Sequence, residues 1–129
     1  MEGGSNPGRR PGRLPKILIV EDNPRSGEVI QEILESAGFA VLGPARDISS
    51  ALNLVQTQDI DGAVLDLNLG GSFAFEVAAA LRQTGKPILV LSAYGPETLP
   101  TDLRGLPYLQ KPHGILDLAA VACQTFRRQ

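Results

Sequence analysis

The sequence predicts a doubly wound α/β domain, a five-stranded parallel sheet with helices on both faces. Three observations predict it. Short apolar runs and helix-patterned stretches alternate five times, the rhythm that builds parallel sheets through right-handed crossovers. The first run, Lys16-Ile-Leu-Ile-Val20, has no polar alternation, as a strand covered on both faces requires. The polar residues Glu21, Asp22, Asp66, Ser92 and Lys111 all fall where such a run ends. Packing alone does not explain that convergence. In an open α/β sheet it marks the edge where ligands bind.

The elements follow in order. After the first strand and Glu21-Asp22, Asn23 is a helix N-cap and Pro24 suits the first helical position. That helix runs to Ala37, with Val29, Ile33 and Ala37 on one row and Ile30 and Leu34 beside it, and Gly38 stops it. Residues 39–42 form the second strand, closed by Gly43-Pro44, and residues 47–58 a helix whose Ala51, Leu52 and Val55 face inward. Residues 63–65 are the central strand, carrying Asp66 at its end and leaving through Gly70-Gly71. Ser72 is expected to cap a third helix over residues 73–83, which Gly85 ends. Residues 87–91 are the fourth strand. The stretch 93–105 holds Pro96 and Pro100, so a turn or two of helix at most fits there. Residues 107–110 make a short fifth strand before Lys111-Pro112. A last helix, from Gly114 or Ile115 to Phe126, buries Ile115, Ala119, Ala122 and Phe126.

Composition bounds the function. The 129 residues, 43% hydrophobic and 20% charged, are enough for a single core. A net charge of −2 gives no basic footprint for nucleic acid. The single cysteine, Cys123, cannot form an internal disulfide and reads as a small buried hydrophobe. No apolar run reaches membrane-spanning length and no hydrophobic leader opens the chain, so a cytoplasmic protein with no membrane contact is expected. Residues 1–14, rich in Gly, Pro and Arg, read as a disordered tail preceding a domain over 15–129.

Glu21, Asp22 and Asp66 would place three carboxylates in one cleft, which is costly without a cation. An oxygen-rich set of this kind suits Mg²⁺, which keeps several waters and takes one or two carboxylates with a substrate phosphate. The Asn68 carbonyl would add a ligand, Lys111 a positive charge and Ser92 a hydroxyl. Together these are the parts of a phosphoryl-transfer site, with a carboxylate as acceptor.

The joint pattern Val20-Glu-Asp-Asn23, Leu65-Asp-Leu-Asn68, Leu91-Ser-Ala93 and Tyr108-Leu-Gln-Lys-Pro112 resembles the receiver domain of two-component response regulators. The resemblance implies strand order 2-1-3-4-5. Asp66 would be the phospho-acceptor, Asp22 the direct metal ligand, Glu21 an acidic residue acting through water, and the Asn68 carbonyl the third protein ligand. Ser92 would be the switch hydroxyl, Tyr108 the switch aromatic, Lys111 the phosphate-pairing lysine, and Pro112 the site of a cis peptide. The short, proline-broken 93–105 stretch is similar to an alphaproteobacterial single-domain subgroup with a Phe-Ala-Thr-Gly-Tyr-like motif, replaced here by Val90-Leu-Ser-Ala-Tyr94. The fourth helix is therefore expected to be short or absent. His113, usually apolar in that family, is read as an exposed cap of the last helix.

The implied function is a signalling switch and not an enzyme. A sensor histidine kinase or phosphotransfer protein would phosphorylate Asp66, and the altered surface would bind an unidentified downstream protein or pass the phosphoryl group on. Because residue 129 follows the last helix, a stand-alone receiver without an output domain is expected. Two alternatives stay open: an Mg²⁺-dependent phosphatase with an Asp nucleophile, against which Asn68 stands where such enzymes carry a general acid, and a degenerate receiver that binds without phosphorylation. Asp59 and Asp61 lie at the other end of the central strand and read as solvated.

Overall fold

The computed structural model describes residues 13–127. The expected tail thus lies almost wholly outside the described residues, and Arg13 and Leu14 are exposed. The sheet strands are β1 (Lys16–Val20), β2 (Ala40–Ala45), β3 (Gly62–Leu65), β6 (Ile88–Ser92) and β7 (Tyr108–Gln110). Two further strands, β4 (Asn68–Leu69) and β5 (Ser72–Phe73), form a small antiparallel hairpin. The helices are α1 (Pro24–Ser36), α2 (Ile48–Thr57), α3 (Phe75–Thr84) and α4 (Leu118–Phe126). The five-stranded sheet has the order β2-β1-β3-β6-β7 with every pair parallel, which is the expected 2-1-3-4-5 once the hairpin is set aside.

Period-two alternation splits the sheet into two cores. Leu18 and Val20 of β1, with Ala63 and Leu65 of β3, face α2 and α3 through Ala51, Val77 and Leu81. Ile17 and Ile19, with Val64 and Leu89, face α1 and α4 through Ile30, Leu34, Leu118 and Phe126. The seam between α1 and α4 is closed by Arg127, whose guanidinium donates to the Ala37 and Gly38 carbonyls at 2.9 and 3.1 Å. The same group lies 4.6 Å over the Phe39 ring, so it satisfies carbonyls left open at the end of α1 while stacking on an aromatic face.

Several expectations need correction. In α1 the buried stripe is Gly27, Ile30 and Leu34, while Val29 is exposed. The stripe rotates because α1 sits tightly on the Gly43-Pro44 corner: a Cβ on Gly27 would lie 2.9 Å from Pro44 Cγ. The third helix does not start at Phe73 under a Ser72 cap. Gly70 and Gly71 turn the chain back on itself, Ser72 and Phe73 pair with Leu69 and Asn68, and α3 begins at Phe75. The last helix starts at Leu118, preceded by a 3₁₀ turn over His113–Asp117; it buries Ala122 and Phe126 as expected and Leu118 in addition, while Ala119 is exposed. Cys123 is half-buried beside the second core. Asp61 is not simply solvated; it is half-buried and its carboxylate accepts the Lys16 N–H at 2.8 Å, at the edge opposite the Asp66 end of β3.

Between β6 and β7 there is no fourth helix on the scale of the other crossovers. Two 3₁₀ turns, Pro96–Thr98 and Thr101–Leu103, span the gap and drop Leu99 and Leu103 into the core. The prolines dictate this, since each removes a helical donor and constrains the residue before it.

Candidate functional site

The C-terminal ends of β1, β3, β6 and the residue after β7 meet in one acidic pocket. Glu21 follows β1 and is buried, as are Asp66 after β3 and Ser92 at the end of β6. Glu21, Asp22 and Asp66 each offer an oxygen within 4.8 Å of the others. Lys111 reaches in from beyond β7, its Nζ 2.6 Å from Glu21 Oε1 and 3.1 Å from Asp66 Oδ2. The register explains the meeting: Val20 lies beside Leu65, Leu65 beside Val90, and Ser92 beside Gln110, so the strand ends line up.

Backbone donors complete the pocket. The Asn23 N–H donates to Glu21 Oε2 at 3.1 Å, the Asn68 N–H to Asp66 Oδ1 at 2.9 Å, and the Gly70 N–H to Asp22 Oδ2 at 2.7 Å. Burial pushes the Glu21 carboxyl up, more than the Lys111 ammonium and the Asn23 N–H pull it down. Burial alone would lower Lys111, yet its hydrogen bond to Glu21 and the two carboxylate charges outweigh this and hold the ammonium above the ordinary lysine range. Lys111 is therefore firmly cationic at neutral pH. The formal pocket charge, three carboxylates against one ammonium, is −2.

The Ser92 and Tyr108 side chains line the wall on the β6–β7 side. Ser92 Oγ accepts the Tyr94 N–H at 3.2 Å, and the Tyr108 hydroxyl donates to the Tyr94 carbonyl. Tyr108 is half-buried, and burial raises its hydroxyl pKa. The Lys111–Pro112 peptide is cis, and so is Gly43–Pro44. His113 is exposed at the start of its 3₁₀ turn.

The family model for the response regulator receiver domain matches residues 17–121. The chain belongs to this family. Its receiver is 36% identical over 129 residues to the transcriptional regulatory protein TcrA of Mycobacterium tuberculosis, covering 93% of this chain and 50% of that one. It thus spans about half the length of the curated relatives it matches. The receiver domain of the response regulator PhyR from Erythrobacter litoralis superposes with a TM-score of 0.78 at 25% identity, covering 91% of this chain and 93% of that one. TrrA of Thermotoga maritima, solved in complex with Mg²⁺ and BeF, superposes at 0.75, with 24% identity over 86% and 98% of the two chains.

Within this receiver, sequence reasoning missed two residues at the pocket mouth. Tyr94 accepts from the Asn68 amide at 3.0 Å through its hydroxyl and packs against Phe73 at 5.8 Å. Gly70 supplies the donor on Asp22. Gly-Gly between Leu69 and Ser72 is a hairpin signal that could have revealed the second; the first was read only as the last residue of the 90–94 motif, with no contact assigned to it. The Asn68 side chain is committed at both ends, donating to Tyr94 and accepting the Gly71 N–H at 3.0 Å. That arrangement gives no support to a hydrolase's general acid at this position. Among the described residues, no helix is long and apolar enough to cross a membrane.

Proposed function

We propose that this receiver is a phosphorylation switch in which Asp66 takes a phosphoryl group from the phosphohistidine of a sensor kinase or phosphotransfer protein. The observation that carries the proposal is a buried Asp66 carboxylate flanked by two further acids and paired to a lysine. The Asp66 oxygen attacks phosphorus, the N–P bond of the donor breaks, and its imidazole leaves with the electron pair. Lys111 pairs with a phosphoryl oxygen, and the Ser92 hydroxyl donates to another.

An all-oxygen donor set in a pocket whose formal charge, Lys111 included, is −2 fits Mg²⁺, which Asp22, Asp66, the Asn68 carbonyl and, through water, Glu21 would hold. When bound, the ion neutralises the carboxylates and the oxygens of the transferring group. The likeness to a receiver solved with Mg²⁺ and BeF supports this choice. Pulling Ser92 toward the phosphoryl group loosens its contact with Tyr94 and lets Tyr108 shift, so the 93–105 segment presents a different surface to a downstream protein. With a net charge of −2, the receiver itself is read as a protein-binding module and not a nucleic-acid or membrane module. The tail over 1–14 is assigned no part in the switch. The two short 3₁₀ turns in the 93–105 stretch are the feature that supports the single-domain subgroup.

Acetyl phosphate with Mg²⁺ is expected to add one hydroxylamine-labile phosphoryl group, seen by intact mass, and Asp66→Asn to add none. A label that persists in Asp66→Asn would move the acceptor elsewhere and sink the reading.

A further inference from the structure

The acids in the pocket are held in two ways. Glu21 and Asp66 share the Lys111 ammonium, whereas half-buried Asp22 receives the Gly70 N–H, 48 residues along the chain. Gly70 and Gly71 have φ of +61° and +89°, the pattern of a two-residue type I′ hairpin turn between the paired residues Leu69 and Ser72. Antiparallel pairing uses the donors of the flanking residues and leaves the N–H of the first turn residue free to point elsewhere. A Cβ on either glycine would meet nothing within 4 Å, so glycine serves the backbone conformation and not a close approach.

The hairpin that presents this donor is itself anchored. The Asn68 N–H bonds to Asp66, and the Ala74 N–H to the Leu67 carbonyl at 2.6 Å. Phe73 stacks on Phe75, with centroids 5.3 Å apart and planes 6° apart, and leans on Tyr94. A donor fixed this firmly restrains rotation of the Asp22 carboxylate. It also leaves the second carboxylate oxygen available to a cation.

We propose that the β4–β5 hairpin is the positioning element for the pocket's divalent cation, with the Gly70 N–H orienting Asp22. The inference rests on the Mg²⁺ reading above. Partners that orient a metal ligand are worth about 10–100-fold in affinity, and a single backbone donor belongs at the lower end of that range.

Mg²⁺ titrations followed by backbone amide NMR test it in wild type, Gly70→Asn, Gly70→Pro and Asp22→Ala. Asn tolerates positive φ and keeps the N–H, so its affinity is expected within about twofold of wild type. Pro removes the N–H and cannot adopt the turn, and its affinity is expected to fall about tenfold with β1, β3 and β6 resonances unmoved. In the metal-free protein the Gly70 amide is expected to exchange at least about tenfold faster in Asp22→Ala than in wild type, a readout independent of how the Pro variant folds. If Asp22→Ala binds Mg²⁺ as wild type does, the cation reading fails. If Asp22→Ala loses binding while folded Gly70→Pro retains it, or the Gly70 exchange rate is unchanged, the hairpin inference alone is overturned.

Discussion

Lys111 stands 2.6 Å from one buried carboxylate and 3.1 Å from another, and that dual contact makes it a resident counter-ion as well as a phosphate-pairing candidate. Its own side chain keeps 17% exposure while that of Glu21 keeps 1%, so removing the ammonium strands the acids more than it frees the lysine. Lys111→Met is expected to destabilise the metal-free protein by about 2–3 kcal/mol in urea unfolding at pH 7. That is below the range for breaking a fully buried pair, because the lysine is partly solvated. Added Mg²⁺ should recover more stability in the variant than in wild type, since it replaces the lost charge. Equal urea midpoints without Mg²⁺ would show that water already screens the pair. At this scale the sequence was readable wherever chemistry rides on side-chain type: three acids, a hydroxyl and a lysine at strand ends. It was silent on Gly70, whose contribution is a backbone N–H, and on Tyr94, whose bond to Asn68 spans 26 residues.

Among the elements, the helix starts repay attention to their caps. Asp47 caps α2 with its carboxylate accepting the Ser50 N–H at 2.7 Å, and Asn23 caps α1 by accepting the Ser26 N–H at 3.0 Å. The Ser50 N–H holds the Asp47 carboxyl below the usual aspartate value of 3.8. A carboxyl with a depressed folded pKa contributes stability above its unfolded value and loses it as pH falls through the folded one. Asp47→Ala is therefore expected to unfold at a lower temperature than wild type at pH 7. The gap should close as the pH drops through 3.8 and below, measured by calorimetry. A gap that is constant with pH would mean that the cap's charge plays no part. The Asn23 cap was legible because it precedes a proline and a periodic apolar stretch, whereas Asp47 was read as the first residue of α2 and is its cap. The start of α3 was not: strands of two residues have no readable periodicity, so Gly-Gly looked like an exit from β3 when it is a hairpin turn. The last helix was read too long at its start because a 3₁₀ turn and an α-turn bury residues at nearly the same spacing.

The sheet is the wall of the whole molecule, and it isolates the two cores from each other. Ile30 packs on the α1–α4 side and Ile88 on the α2–α3 side. Ile30→Val and Ile88→Val are each expected to cost about 0.5–1.5 kcal/mol. The double variant should cost their sum within about 0.5 kcal/mol, by denaturant titration, because the sites share no packing partner. A larger coupling would mean that the strands transmit strain from one face to the other. The topology itself was legible because a doubly covered sheet demands continuous apolar runs, and few connections satisfy five of them with right-handed crossovers. The same wall gathers the chain's aromatic hydroxyls at one place. The protein has no tryptophan and two tyrosines, and both of these, Tyr94 and Tyr108, meet at the pocket's rim through a hydroxyl–carbonyl bond. The molecule thus carries its own optical label: intrinsic tyrosine emission and the tyrosine bands of the near-ultraviolet dichroism arise at the rim, so the proposed switch can be watched in an unmodified protein with no dye attached.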